Sequence, residues 1–261
     1  MGVINVTPDS FSDAGRYLLV DRAVEHARQL VAEGADMLDI GGESTRPGAS
    51  QVSPAAQIER VLPVVRALRD VTVPLSVDTS EPEVMRAALD EGVAIINDVR
   101  ALRVPGALGQ MGRSDCGVVL MHMQGTPQTM QVNPSYQDVV GEVRDFLRSR
   151  RDEAVQAGVA PERIALDPGF GFGKRGEHNQ RLLAHLGRLR ELGQPLLVGL
   201  SRKASLGEMT GRPVAERLVA SVVAAVLAIQ SGAHIVRVHD VAATRDAIAV
   251  WEAVRASSLH D

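Results

Sequence analysis

The chain of 261 residues has one cysteine, one tryptophan, two tyrosines and four phenylalanines. With Cys116 alone, neither an intrachain disulfide nor a multi-cysteine metal cluster can form, a usage expected of the reducing cytoplasm. Cys116 itself reads as a small buried hydrophobe at the edge of a strand. Aromatic residues at 3% leave the core to be built from aliphatic side chains. A net charge of -4 supplies no global cationic field, which excludes nucleic acid as the main ligand, so any anion site must be assembled locally. Long apolar runs are missing too. The longest, LVASVVAAVLAIQ from Leu218, is too short to span a bilayer and reads as a deeply buried helix. The amino-terminal MGVINVTPDS lacks the basic segment and apolar stretch of a signal peptide.

What is present is an ordinary globular composition, 45% hydrophobic and 23% charged, at a length compatible with one large core. Short apolar runs alternate with longer segments of helical period. The runs are GVINV from Gly2, DMLDIG from Asp36, VPLSVD from Val73, AIINDV from Ala94, GVVLMHM from Gly117, RIALD from Arg163, PLLVG from Pro195 and HIVRVHD from His234. Continuously apolar strands suit a parallel sheet covered on both faces. Gly34, Gly92, Gly158, Gly193 and Gly232 each stand just before a strand, which marks a repeated unit of helix, glycine cap and strand. Ser80-Glu81-Pro82-Glu83 predicts a capping box, and Pro213 a helix start. Eight units of roughly thirty residues with no linker between them predict a single (β/α)8 TIM barrel. An open doubly wound sheet is the alternative.

The stretch LDPGFGFGK from Leu166 invites a nucleotide-loop reading and does not support it. A P-loop needs a glycine where Pro168 stands and a hydroxyl where Arg175 stands, and the last glycine of a dinucleotide fingerprint would fall on Lys174. Its informative residue is Asp167, at the end of an apolar run, because polar strand ends recur: Asn5, Asp39, Asp78, Asn97, Asp98, His122, Arg237 and His239. Any one of them could simply meet solvent or cap the next helix. Together, in a barrel, they converge on the face where barrel enzymes place their chemistry. Asp78, Asn97, Asp167, Lys203 and Arg237 suit a flat polar heterocycle with donors and acceptors on its edge. Arg237, His239 and Ser201-Arg202-Lys203 suit an anion, and Asn5 suits Mg²⁺ shared with substrate phosphates. His122 has no partner at metal-ligand spacing and reads as an interior, hydrogen-bonded histidine. The loops TPDSFSDAGRY and ESTRPGASQVS are long enough to act as mobile lids, and Phe172 forms an apolar wall.

MGVINVTPDSFSD, DIGGESTRPGA, SVDTS, IINDV, VVLMHMQGTPQTM, LDPGFGFGK, LLVGLSRK and VRVHD, in this order along essentially the whole chain, resemble the dihydropteroate synthase family of the folate pathway. The resemblance implies that residues 1–261 form one pterin-binding barrel without the amino-terminal hairpin usual in the family. It implies joining (7,8-dihydropterin-6-yl)methyl diphosphate to p-aminobenzoate with release of pyrophosphate. By position, Asp78, Asn97, Asp167 and Lys203 match the pterin-holding residues, Met121 lines the pocket and Arg237 stacks on the pterin. Asn5 matches a Mg²⁺ ligand, and Thr45, Arg237 and His239 match diphosphate contacts. Phe11, Arg46 and Pro47 resemble residues enclosing p-aminobenzoate, Asp13 resembles a lid residue that orders the closed state, and Asp39 sits among the pterin-side polar groups. The resemblance also implies a cytoplasmic homodimer and competition by sulfonamides for the p-aminobenzoate pocket.

The chain departs from the family pattern at Ala14, where a glycine is usual, and at Ala204-Ser205-Leu206-Gly207, where a polar and then a bulky apolar residue are usual. Two rival readings share parts of this pattern. A pterin-dependent methyltransferase would need the barrel and the pterin-facing Asp and Asn, but not Arg46, Lys203 or the Arg237 and His239 pair. A pterin-binding paralogue without turnover would be expected to lose lid or diphosphate residues, and none is missing.

Overall fold

The eight apolar runs become eight short strands: β1 (Gly2–Asn5), β2 (Leu38–Gly41), β3 (Leu75–Asp78), β4 (Ile95–Asp98), β5 (Gly117–Met121), β6 (Ile164–Asp167), β7 (Leu197–Val198) and β8 (Ile235–Val236). A computed structural model describes residues 1–6, 13–44, 48, 49 and 51–257. β1 to β6 pair in chain order as one parallel sheet, and β7 pairs with β8 in parallel. Two further parallel bridges, Leu166 with Leu196 and Gly2 with Val238, join the two sheets at both ends. At these seams Leu166 N donates to Pro195 O at 2.9 Å and Val238 N to Met1 O at 2.9 Å. The strands therefore close into a (β/α)8 barrel, and the open doubly wound sheet is excluded.

The connecting helices are α1 (Asp13–Ala32), α2 (Pro54–Ala67), α3 (Pro82–Asp90), α4 (Ala107–Gly112), α5 (Val139–Gln156), α6 (Gly176–Ala184), α7 (Ala204–Thr210), α8 (Leu218–Gln230) and α9 (Val241–Ser257). The recurrent glycines do end helical segments: all five take left-handed backbone angles, with φ from 82° to 103°. The capping box predicted at Ser80 does not form. α3 starts after Glu81 without a side-chain cap, because the Ser80 hydroxyl donates to Asp98 instead. α8 also departs from expectation. Its inner face is buried through Ala224, Ala225 and Ala228, yet Val219 is 73% exposed and Val223 and Leu227 are exposed beside it. No described helix is long and apolar enough to cross a membrane.

Period-two alternation divides the strand residues between two cores. Outward-facing Ile40, Val77, Ile96, Leu120, Leu166 and Val198 join the main cluster shared with the helices, which is aliphatic as the composition implies. Inward-facing Met1, Val119 and Leu197 pack with Met37, Ile95, Ala165 and Ile235 as an apolar plug at the start of the strands. Two residues beyond Met37, Ile95, Ala165 and Ile235 the inward positions are Asp39, Asn97, Asp167 and Arg237, and there the candidate site begins.

Candidate active site

One polar network spans the interior at the strand ends. Asp39 on β2 is fully buried; its Oδ1 accepts from Ser76 Oγ at 2.6 Å. Its Oδ2 accepts from Asn97 Nδ2 at 2.9 Å and from Arg237 Nε at 2.6 Å. Arg237, just after β8, also donates through Nη2 to Asp78 Oδ2 at 3.1 Å. A bond from the end of β8 to β2 and β3 can only cross the barrel lumen, which fixes these side chains inside. Asp39, whose role the sequence left open, is thus the hub of the network, and Ser76 was missed. The signal for Ser76 was available: it has the same inward parity as Asp78.

Asn97 donates to Asp39 but leaves its own Oδ1 buried without a hydrogen-bond partner among the described residues. A buried acceptor of this kind is available to a donor on a bound molecule. Parallel register sets Asp78 opposite Asn97, and Met121 opposite Asp167. Met121 packs with Val99, Met123 and Met130, against which Phe172 lies, so one wall of the lumen is apolar and polarizable.

Asp167 is buried at the end of β6, and its Oδ1 accepts from Gly169 N at 2.7 Å. That turn needs glycine: φ is +68°, and a Cβ there would sit 1.9 Å from the His122 carbonyl oxygen. The Lys203 Nζ donates to the Phe170 carbonyl and lies 4.6 Å from the centroid of the Phe172 ring. Burial pushes the Asp78 carboxyl up to about 7 against the pull of Arg237. Burial likewise raises Asp167, opposed first by Lys203, and lowers Lys203 to about 8, opposed first by Asp167. The network is therefore a set of compensated charges in a site where small changes of environment alter protonation.

His239 is held beside Ser201, with its Nδ1 3.0 Å from Ser201 Oγ and its backbone N donating to the same oxygen at 3.2 Å. Arg202, expected in the anion region, is ion-paired with Asp240. Asn5 is exposed at the end of β1. Among the described residues no group of three or more His, Cys, Asp or Glu is placed to hold a metal, so a metal here would rely on few protein ligands. His122 is interior and hydrogen-bonded, as expected, to Lys174. Phe11, Thr45, Arg46 and Pro47 lie outside the described residues. Asp13 opens α1, so the helix takes the end of the run expected to be a loop, and the Asp13 side chain is outside the description. A cavity of about 720 Å³ lined by Arg190, His234 and Trp251 lies at the strand starts, away from this network.

A barrel with a carboxylate, amide and ammonium ring in its lumen is matched by a family model, described as pterin binding enzyme, over residues 1–239. The chain belongs to the pterin binding enzyme family. Among members of this pterin binding family, the dihydropteroate synthase of Neisseria meningitidis serogroup B is 54% identical, over 97% of this chain and 92% of that protein. The solved Xanthomonas albilineans dihydropteroate synthase with 4-aminobenzoic acid is 54% identical, with a TM-score of 0.92 over 98% of this chain and 92% of that one. The Yersinia pestis dihydropteroate synthase, solved with a sulfonamide drug complex, is 46% identical, with a TM-score of 0.93 over 98% and 93% of the two chains. Likeness of this extent places the pterin-binding barrel of this chain among those of dihydropteroate synthases.

Proposed function

We propose that this chain is a dihydropteroate synthase, joining (7,8-dihydropterin-6-yl)methyl diphosphate to p-aminobenzoate to give 7,8-dihydropteroate and pyrophosphate. The observation that carries the reading is the lumenal ring with Asp78 and Asp167 in which Asn97, on the strand next to Asp78, presents a buried oxygen without a partner among the described residues. A pterin edge carries amino and ring N–H donors that would satisfy such an oxygen, and a carboxylate beside it takes paired donors. In this reading Asp78, Asn97 and Asp167 hold that edge, Lys203 donates to an acceptor of the ring system, Met121 packs on one face and Arg237 stacks on the other.

The substitution is dissociative. The bond between the exocyclic methylene and the diphosphate oxygen breaks, the electron pair leaves with the diphosphate, and the positive charge spreads into the dihydropterin. Asp78 and Asp167, fixed before the reaction begins, favour that charge electrostatically. Arg237 and His239, with Thr45, receive the diphosphate. The arylamine nitrogen then attacks the methylene and loses a proton, and no covalent enzyme intermediate is needed. Phe11, Asp13, Arg46 and Pro47, with Phe172, enclose the p-aminobenzoate side and exclude water. The Asn5 amide oxygen, exposed at the strand-end face, would hold Mg²⁺ beside the substrate diphosphate. When bound, the ion neutralises leaving-group charge. Chelation with EDTA is expected to lower turnover by about tenfold or more and excess Mg²⁺ to restore it; turnover indifferent to chelation removes the metal from the scheme.

Formation of dihydropteroate and pyrophosphate in equal amounts, dependent on p-aminobenzoate, tests the reaction. Methyl transfer to a corrinoid protein would instead favour the methyltransferase reading, and pterin binding without turnover the inactive paralogue. Sulfonamides compete with p-aminobenzoate in this account, so inhibition insensitive to p-aminobenzoate concentration contradicts it. The exposed Val219, Val223 and Leu227 on α8 and Val250 and Val254 on α9 form apolar rows on two helices that pack together. A second copy of the chain covers them, giving a homodimer. Val223→Glu is expected to shift the sedimenting species from dimer to monomer; a dimer unchanged by this substitution contradicts that interface.

A further inference from the structure

Lys174 closes the LDPGFGFGK loop and is only 2% exposed. Its Nζ lies 2.8 Å from His122 Nδ1 and donates to Gly169 O at 2.9 Å and Phe172 O at 3.1 Å. Three acceptors match the three donors of an ammonium group. Two of them belong to residues already tied to the site. Gly169 donates its N–H to Asp167, and the Phe172 ring supports the Lys203 ammonium. The third stands at the end of β5, where the loop lies so close that a Cβ on Gly169 or Gly173 would meet the carbonyl oxygen of His122 or Gln124. His122 is packed edge-on against Phe146, with ring centroids 4.9 Å apart, so the acceptor is fixed. An uncharged side chain of the same length would fill this space without the cost of desolvating an ammonium. Burial pulls the Lys174 ammonium well below the usual lysine range and Asp167 is the first influence holding it up, so what the lysine adds is directional bonding and a partner whose charge is tied to that of Asp167.

We propose that Lys174 is a positioning residue for the pterin side of the site, tying the end of β5 to the loop after β6 and thereby setting Asp167 and the Phe172 wall for the substrate. The inference rests on the pterin reading above. Burial raises the Asp167 carboxyl, and Lys203, the Gly169 N–H, Lys174 and Arg237, in that order, favour its ionised form. Removing Lys174 therefore weakens both the placement and the ionisation of that carboxylate.

The test compares wild type with Lys174→Met. The ¹³C carboxyl signal of Asp167 is titrated in the free protein, and dihydropterin affinity, kcat and both KM values are measured. The expected result is an upward move of the Asp167 midpoint, a loss of pterin affinity at pH 7 of about tenfold or more, and a p-aminobenzoate KM within about twofold of wild type. A merely structural role lowers the melting temperature but leaves the midpoint and pterin affinity where they were, and that result overturns the proposal. Should Lys174→Met not fold, His122→Leu removes one acceptor and keeps the lysine; unchanged pterin affinity there overturns it equally. Wild type that makes no dihydropteroate, while the Asp167 midpoint still depends on Lys174, sinks the synthase reading and not the positioning role.

Discussion

Replacing Asp167 by Asn lowers kcat/KM for the pterin diphosphate by about a hundredfold or more, the equivalent of roughly 3 kcal/mol of lost charged interaction. The substitution conserves shape, and the amide oxygen still accepts from Gly169 N, which the carboxylate does at 2.7 Å. What disappears is the negative charge. Burial already pushes the Lys203 ammonium down to about 8, and Asp167 is the first influence holding it up. In the variant Lys203 loses its proton at lower pH, so the basic limb of the pH profile moves toward neutrality. The developing pterin cation loses one of its two carboxylates as well. Steady-state kinetics with pterin varied, on protein shown by melting to be folded, measure the effect. Unchanged turnover and pterin affinity contradict the assignment of Asp167.

Arg237→Met is expected to be the more damaging change, because it affects both substrate binding and the barrel itself. Arg237 links Asp39 and Asp78, at 2.6 and 3.1 Å, and Asp39 is wholly buried. Breaking a buried pair by removing one partner costs about 3–5 kcal/mol, since the charge left behind has no compensation. Loss of the diphosphate contact adds a fall in kcat/KM of about a thousandfold. The pH dependence has a definite sign. Asp78 is raised from 3.8 to about 7 in the folded protein despite Arg237, and its midpoint rises further without it. A carboxyl with a raised folded midpoint binds more protons folded than unfolded, so stability falls as pH rises from the unfolded midpoint through the folded one. Urea unfolding of Arg237→Met should therefore show a larger deficit at pH 8 than at pH 5. An equal deficit at both values shows that the buried carboxylates are not its origin.

Much of this architecture was legible because a parallel barrel writes itself as apolar runs ending in polar residues, with glycines at the helix ends. The glycine prediction held at all five positions because no other residue adopts those backbone angles cheaply. α8 was misjudged for a physical reason: an apolar helix reads the same whether its second face meets a core or another molecule. The capping box at Ser80 failed because its hydroxyl is taken by Asp98, a partner 18 residues away. Distance along the chain also hid the polar hub. Asp39 meets Arg237 across 198 residues, and Lys174 meets His122 across 52, so only closure of the barrel brings them together. Sequence spacing rejected Lys174 as a nucleotide-loop lysine, but its actual partners lay beyond local reasoning.

The most direct test of the account is a crystal structure with (7,8-dihydropterin-6-yl)methyl diphosphate bound. The account predicts the pterin in the barrel lumen, its donor edge on Asn97 Oδ1 and Asp167, Lys203 on its acceptor side, and the diphosphate toward Arg237 and His239. A pterin bound instead at the opposite end, in the cavity lined by Arg190, His234 and Trp251, with the lumenal network unaltered, would contradict it.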